Sequence, residues 1–137
     1  MIDTNIVLDL LVFQDPAAQP LRLALAQGAL QWLATAAMRD ELERVLAYRH
    51  IAPRLTFHCL TAQQVMGAFD AFVCVQPAAV KAPVTCKDPD DQKFIDLAWG
   101  QSCVLLSKDK AVRCMARLLA AAGVVVQAVW VGAGVKP

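Results

Sequence analysis

Short apolar runs of strand length alternate with longer stretches of helical spacing along all 137 residues, and few folds tolerate that alternation. Strands separated by helices cannot pair as hairpins, so they are expected to run parallel, with helices covering the sheet. The strand runs are Met1 to Asp3, Gln31 to Ala34, Phe72 to Val75, Ser102 to Leu106 and Val124 to Val129. Helical stretches fall near Thr4 to Val12, Pro16 to Gln27, Ala36 to Tyr48, Thr61 to Ala71, Asp91 to Gly100 and Lys110 to Ala122. Gly28 and Gly123 stand where helices should stop, because glycine takes the left-handed cap conformation without steric cost. Between Pro77 and Asp90 lies the longest connection, and a loop of that length in a compact domain is often functional. The first run has almost no residues before Asp3, so the start is expected to lie a few residues inside the true one.

Residues 1–137 are expected to form one domain, since the length is near the commonest domain size. With 58% hydrophobic and 18% charged residues the chain can bury a sizeable core, which excludes disorder except in the last few residues. A formal net charge of +1 argues against a nucleic-acid binder that works by bulk positive charge, although it leaves room for a local site. Cys59, Cys74, Cys86, Cys103 and Cys114 are odd in number and lack a C-x-x-C pair, so they read as small buried hydrophobes in a reducing compartment. No secretory signal opens the chain, and a cytoplasmic location is expected. The uncharged stretch Leu118 to Val135 contains Gly123, Gln127, Gly132 and Gly134, and it reads as a helix end and a strand rather than a membrane span.

The chemistry lies in the acids, and each has an ordinary alternative. Asp3-Thr4-Asn5 opens an apolar helix and, taken alone, is a good helix N-cap. In Asp88-Pro89-Asp90-Asp91, Asp91 precedes Phe94 and Ile95 by three and four residues and shares their face, whereas Asp88 and Asp90 suit a turn and a cap. Asp109, after Ser107-Lys108, is again a cap or a turn residue by itself. On the helix Ala36 to Tyr48, at about 100° per residue, Glu41 lies roughly 85° from the centre of the apolar side, Glu43 about 115°, and Asp40 nearly opposite. Glu41 is therefore the acid that leans inward, with Asp40 and Glu43 solvated beside Arg39 and Arg44.

Asp3, Asp91 and Asp109 all sit after a strand or at a helix start, which in an open parallel sheet is one physical edge and the place where ligands gather. Four converging carboxylates, Asp3, Glu41, Asp91 and Asp109, repel one another unless cations offset them, and hard oxygen donors select Mg²⁺ or Mn²⁺ over zinc. A metal site is the expectation.

The sequence DTNIVLDLL at the start, then RDELERVL, CKDPDDQKFIDLA and LLSKD, in that order, resembles a PIN domain over nearly the whole chain. The resemblance is to the branch formed by toxin components of bacterial toxin–antitoxin systems. It implies a three-layer α/β/α sandwich with a five-stranded parallel sheet of order 3-2-1-4-5. It also implies metal-dependent endonuclease activity on RNA that leaves 5′-phosphate and 3′-hydroxyl ends, with an antitoxin protein and self-association as partners. Carried over position by position, the family's acids fall on Asp3, Glu41, Asp91 and Asp109, with Asn5 and Ser107 supporting the site by hydrogen bonding. The family often has a further acid two residues after the fourth, where this chain has Ala111.

Other readings fit less well. A receiver-like phosphoacceptor domain needs paired acids after the first strand and an acceptor Asp after the third, and neither is present. A catalytically weak PIN-like module that binds protein or RNA is kept open by Ala111. His50 and His58 do not suggest a metal-independent pair, although His50 beside Arg49 and Arg54 can touch phosphate. Lys87, Lys93, Lys108, Lys110 and Arg113 flank the acidic edge and can hold a nucleic-acid backbone, while Trp32, Trp99 and Trp130 read as core. Leu21, Leu25 and Leu60 are the apolar residues expected at a self-association interface.

Overall fold

A computed structural model describes residues 1–130. Four expected strands form: β1 Trp32–Thr35, β2 Val73–Gln76, β3 Val104–Leu106 and β4 Val125–Gln127. β1 pairs with β2 and β3 with β4, both parallel. The expected strand Met1 to Asp3 is reduced to one parallel bridge between Ile2 and Leu106. Its backbone still lies along β3: the Met1 ammonium donates to the Val104 carbonyl (3.0 Å), Leu106 N–H to the Met1 carbonyl (2.9 Å) and Asp3 N–H to the Leu106 carbonyl (2.9 Å). Among the described residues no ladder joins this part to β1 and β2, so the sheet is two strand pairs and a bridge rather than five continuous strands. Ile2 and Trp32 instead line a shared cavity of about 160 Å³.

The helices are α1 Thr4–Leu11, α2 Gln19–Ala26, α3 Ala36–Leu46, α4 Ala52–Phe57, α5 Ala62–Phe72, α6 Gln92–Gln101, α7 Lys110–Arg113 and α8 Ala116–Ala120. Tight 3₁₀ turns at Pro16–Ala18 and Pro89–Asp91 lead into α2 and α6. Local chemistry explains most of the boundaries. Thr61 and Gln64 form a reciprocal cap at the start of α5, with side chain to backbone bonds of 3.1 and 2.8 Å. Gly28 and Gly123 take positive φ (73° and 79°) where α2 and α8 end, and Val124 N–H then returns to the Leu119 carbonyl at 3.1 Å.

Three boundaries differ from expectation. Phe72 ends α5 instead of opening β2. The stretch Lys110 to Ala122 breaks into two helices because Met115 N–H bonds back three residues, to Val112 at 3.0 Å, tightening the turn before Leu119 resumes the four-residue pattern onto Met115. α4 has no counterpart in the sequence reading: Pro53 sits in its first turn, and only Ile51 and Leu55 of this polar segment are buried, which is too little to stand out as a period.

The core draws on every part of the chain from Met1 to Val124. Trp32, Phe94, Leu10, Leu42, Ile95 and Leu105 are fully enclosed, and Trp32 meets Phe69 edge to face at 5.1 Å. Trp99 and Trp130 pack partly buried against it. The cysteines are free, but only Cys86 is buried, and Cys59 and Cys114 are exposed on the surface. Leu21 and Leu25 are also core residues and Leu60 is half-buried, so they do not offer the exposed interface expected of them; among the described residues Phe57 and Val80 are the most exposed large apolar ones. Among the described residues no helix is long and apolar enough to cross a membrane. Gly132, Gly134 and Val135 of the uncharged stretch lie outside the described residues.

Candidate functional site

Asp3 leaves the bridge beside β3 and enters α1; Asp91 ends the turn that enters α6; Asp109 follows β3 and enters α7. All three occupy N-cap positions, yet they use them differently. The Asp3 and Asp91 side chains make no capping hydrogen bond, whereas Asp109 Oδ1 accepts from Ala111 N–H at 2.9 Å. The turn is capped by Asp88, whose Oδ1 accepts from Asp90 N–H at 3.0 Å. Capping therefore accounts for Asp88 and half of Asp109, and it leaves the Asp3 and Asp91 carboxylates unexplained.

Those carboxylates meet. One oxygen from each of Asp3, Asp91 and Asp109 lies within 4.8 Å of the others. Asp3 and Asp91 are 3% and 6% exposed, so water screens their repulsion poorly. Ser107, fully buried, ties two of them: its hydroxyl donates to Asp3 Oδ2 at 2.6 Å and accepts from Asp109 N–H at 3.0 Å. Burial raises the Asp3 pKa, and the Asp109 and Glu41 charges add to the rise, against the lowering effect of the Ser107 bond. Asp91 is pushed up to about 8 by burial, by the hydrogen bond its protonated form makes with Asp109, and by the Asp3 charge. Asp91 Oδ2 is buried with no partner. A buried carboxylate with an orphaned oxygen, gathered with two more hard oxygen donors, fits a divalent cation, which would replace the proton on Asp91 and offset the repulsion.

Glu41 stands apart from this trio. It leans inward from α3, half-buried, and lines the same cavity of about 240 Å³ as Asp3 and Asp91. Its Oε2 accepts from the Thr4 hydroxyl at 3.0 Å and pairs with Lys93 Nζ at 3.1 Å. Lys93 also donates to the Asp90 carbonyl, so this cation is engaged inside the site instead of lying free for a nucleic-acid backbone. Asn5 is exposed at the cavity wall and makes no side-chain hydrogen bond among the described residues; the support expected from Asn5 and Ser107 together comes from Ser107. Thr4 is the contact that sequence reasoning missed, and its place next to Asp3 in the first turn of α1 was the available signal. Ala111 brings no carboxylate; its carbonyl accepts from the Cys86 and Cys114 thiols at 3.5 and 3.3 Å. Of the remaining flanking cations, Lys108 pairs with Asp9, and Lys87, Lys110 and Arg113 are exposed. On the solvated face of α3, Arg39 pairs with Glu43 and, in a two-bond contact at 2.8 and 2.9 Å, with Asp70.

Comparison with known proteins adds one match. A family model described as PIN domain matches residues 1–111, which include all four expected acids. No curated protein and no solved structure matches the chain. PIN domains have an α/β fold, are typically nucleases and usually bind divalent metals, in keeping with the parallel strand pairs and the carboxylate cluster. The match spans well over half of the sequence, and the chain belongs to the PIN domain family.

Proposed function

We propose that this chain is a divalent-metal-dependent endoribonuclease, a single PIN domain over residues 1–137, acting as the toxin of a toxin–antitoxin pair in the cytoplasm. The observation that carries the nuclease reading is the convergence of Asp3, Asp91 and Asp109 with an unpaired buried oxygen on Asp91. The toxin role, an antitoxin partner and self-association rest on the sequence resemblance alone. The pairings of β1 with β2, of Met1 to Asp3 with β3, and of β3 with β4 are those of the sheet order 3-2-1-4-5 and support it.

Asp3, Asp91 and Asp109 would hold Mg²⁺ or Mn²⁺. When bound, such an ion supplies Lewis acidity toward water and toward the phosphate. Ser107 holds the Asp3 carboxylate and the Asp109 backbone, and Ala111 N–H holds the Asp109 carboxylate, so these two donors are placed in advance. Asp91, which burial and its neighbours keep protonated without a metal, would have to give up its proton to serve as a ligand. Glu41, held by Thr4 and Lys93 at the cavity wall, orients the attacking water through a hydrogen bond. Hydrolysis by this route does not use the ribose 2′-hydroxyl, which is why 5′-phosphate products are expected.

The test is cleavage of end-labelled single-stranded RNA by purified protein in Mg²⁺ or Mn²⁺, with EDTA and Asp91→Asn as controls and DNA of the same sequence in parallel. Cutting of RNA that disappears in both controls and leaves 5′-phosphate ends supports the proposal; equal cutting by Asp91→Asn overturns it. Ala111 favours a second reading, a catalytically weak domain that binds its partner without turnover, for which metal binding without cleavage is the signature.

A further inference from the structure

Beside the acidic cavity a second hollow of about 490 Å³ opens, and Asn5, Leu8, His50 and Ile51 line both. Asp109 of the carboxylate trio lines this second hollow, together with Lys108, Phe13 and Arg54. The two form one groove: Asp88 and Asp90 line one part, and Arg54 and Lys108 share the other with Asp9 and Asp109. Lys108 is already paired with Asp9. Arg54 on α4 is exposed and has no carboxylate partner among the described residues; its guanidinium lies 4.5 Å from the ring centre of Phe13. Phe13 in turn stands 6.4 Å from the His58 ring, which meets the exposed Phe57 edge-on at 5.2 Å.

An unpaired guanidinium held against an aromatic ring does two things at once. It stacks on a nucleobase, and it keeps N–H donors for phosphate. An acidic peptide would use the cation alone, so the paired ring and cation favour a polyanion that also carries flat bases. A base reaches such a surface only when unstacked from its neighbours, which selects a single strand over a duplex.

We propose that this hollow is a binding site for single-stranded nucleic acid, which seats a base against the Phe13–Arg54 pair and leads the backbone past Asp109 into the carboxylate cluster. The proposal rests on the nuclease reading for the path of the strand, but binding can be measured without cleavage. Labelled single-stranded RNA of about 12 nucleotides, within the usual span of such sites, is titrated with protein in Ca²⁺ and again in EDTA, with anisotropy as the readout and the matching duplex as comparison. Arg54→Gln and Phe13→Leu should each weaken single-strand binding on the order of tenfold. Arg39→Gln, at a cation engaged with Asp70, should leave it unchanged. Phe13 is half-buried, so its variant is paired with a melting curve, while Arg54 is exposed and its variant stands on its own. Wild-type binding in neither condition, or Arg54→Gln binding as tightly as wild type, overturns the site. If Arg54 is required for binding in a protein that cuts nothing, the site stands and the nuclease reading falls; if RNA is cut but Arg54→Gln binds normally, the reverse holds.

Discussion

Asp91 has a carboxyl enclosed beside two others and one oxygen without a partner, so in the metal-free protein it keeps its proton up to about pH 8, against an ordinary value of 3.8. In the unfolded chain the same group ionises at its ordinary value. The folded state therefore holds a proton that the unfolded state has released, and stability contributed by this group is fully present below about pH 4 and lost as pH rises through about 8. Asp3, also raised, acts in the same direction. Metal-free protein followed by circular dichroism should show a Tm that falls across this window, and Asp91→Asn, which cannot ionise, should flatten the fall; an unchanged slope in the variant would remove Asp91 as its source. Ser107 works against the same strain. Ser107→Ala leaves Asp3 Oδ2 and the Asp109 N–H without their 2.6 and 3.0 Å partners, and it should cost about 1–3 kcal/mol in denaturant unfolding, since one buried and one partly buried bond are lost. A loss within experimental error would mean that water replaces the hydroxyl.

Between elements, the Lys93–Glu41 pair links the first turn of α6 to α3 across the cavity. Lys93 places a positive charge where a cation must approach, so Lys93→Met should tighten Mn²⁺ binding on the order of threefold by calorimetry, through the Coulomb term alone. Weaker binding would show that Lys93 instead holds Glu41 in a useful position. The inward lean of Glu41 was legible from helical period, since Met38, Leu42 and Leu46 mark the buried side of α3. α4 was not legible, because a six-residue helix with a proline, and only Leu55 and the preceding Ile51 buried, has no periodic signal, yet it supplies Arg54 to the groove. The break after α7 was hidden for a different reason: Cys114 and Met115 are compatible with helix, and only the bond from Met115 back to Val112 closes the turn.

Across the whole molecule, Asp3, Asp91 and Asp109 come from opposite ends of the chain, so any ion they share binds only the folded state and stabilises it by mass action. Thermal melts at pH 7.5 should rise with Mn²⁺ or Mg²⁺, by about 2.7 kcal/mol when the free ion reaches a hundred times its Kd, and Asp91→Asn should abolish the rise. An equal rise in the variant would place the ion elsewhere. Alternation of apolar runs with helical stretches was enough by itself to determine parallel pairing, because a helix between two strands forbids a hairpin, and the acids could be named because each follows a strand or opens a helix. Local sequence could not decide whether an acid caps its own helix or faces its distant counterparts, since both roles use the same residue in the same place. Only the tertiary structure decided that Asp3 and Asp91 leave their helix ends uncapped, that Ser107 and not Asn5 ties Asp3 to Asp109, and that Lys93 is engaged with Glu41. These depend on side chains from remote segments meeting in a space shielded from water, where a short hydrogen bond or an unpaired oxygen changes the charge state of the site.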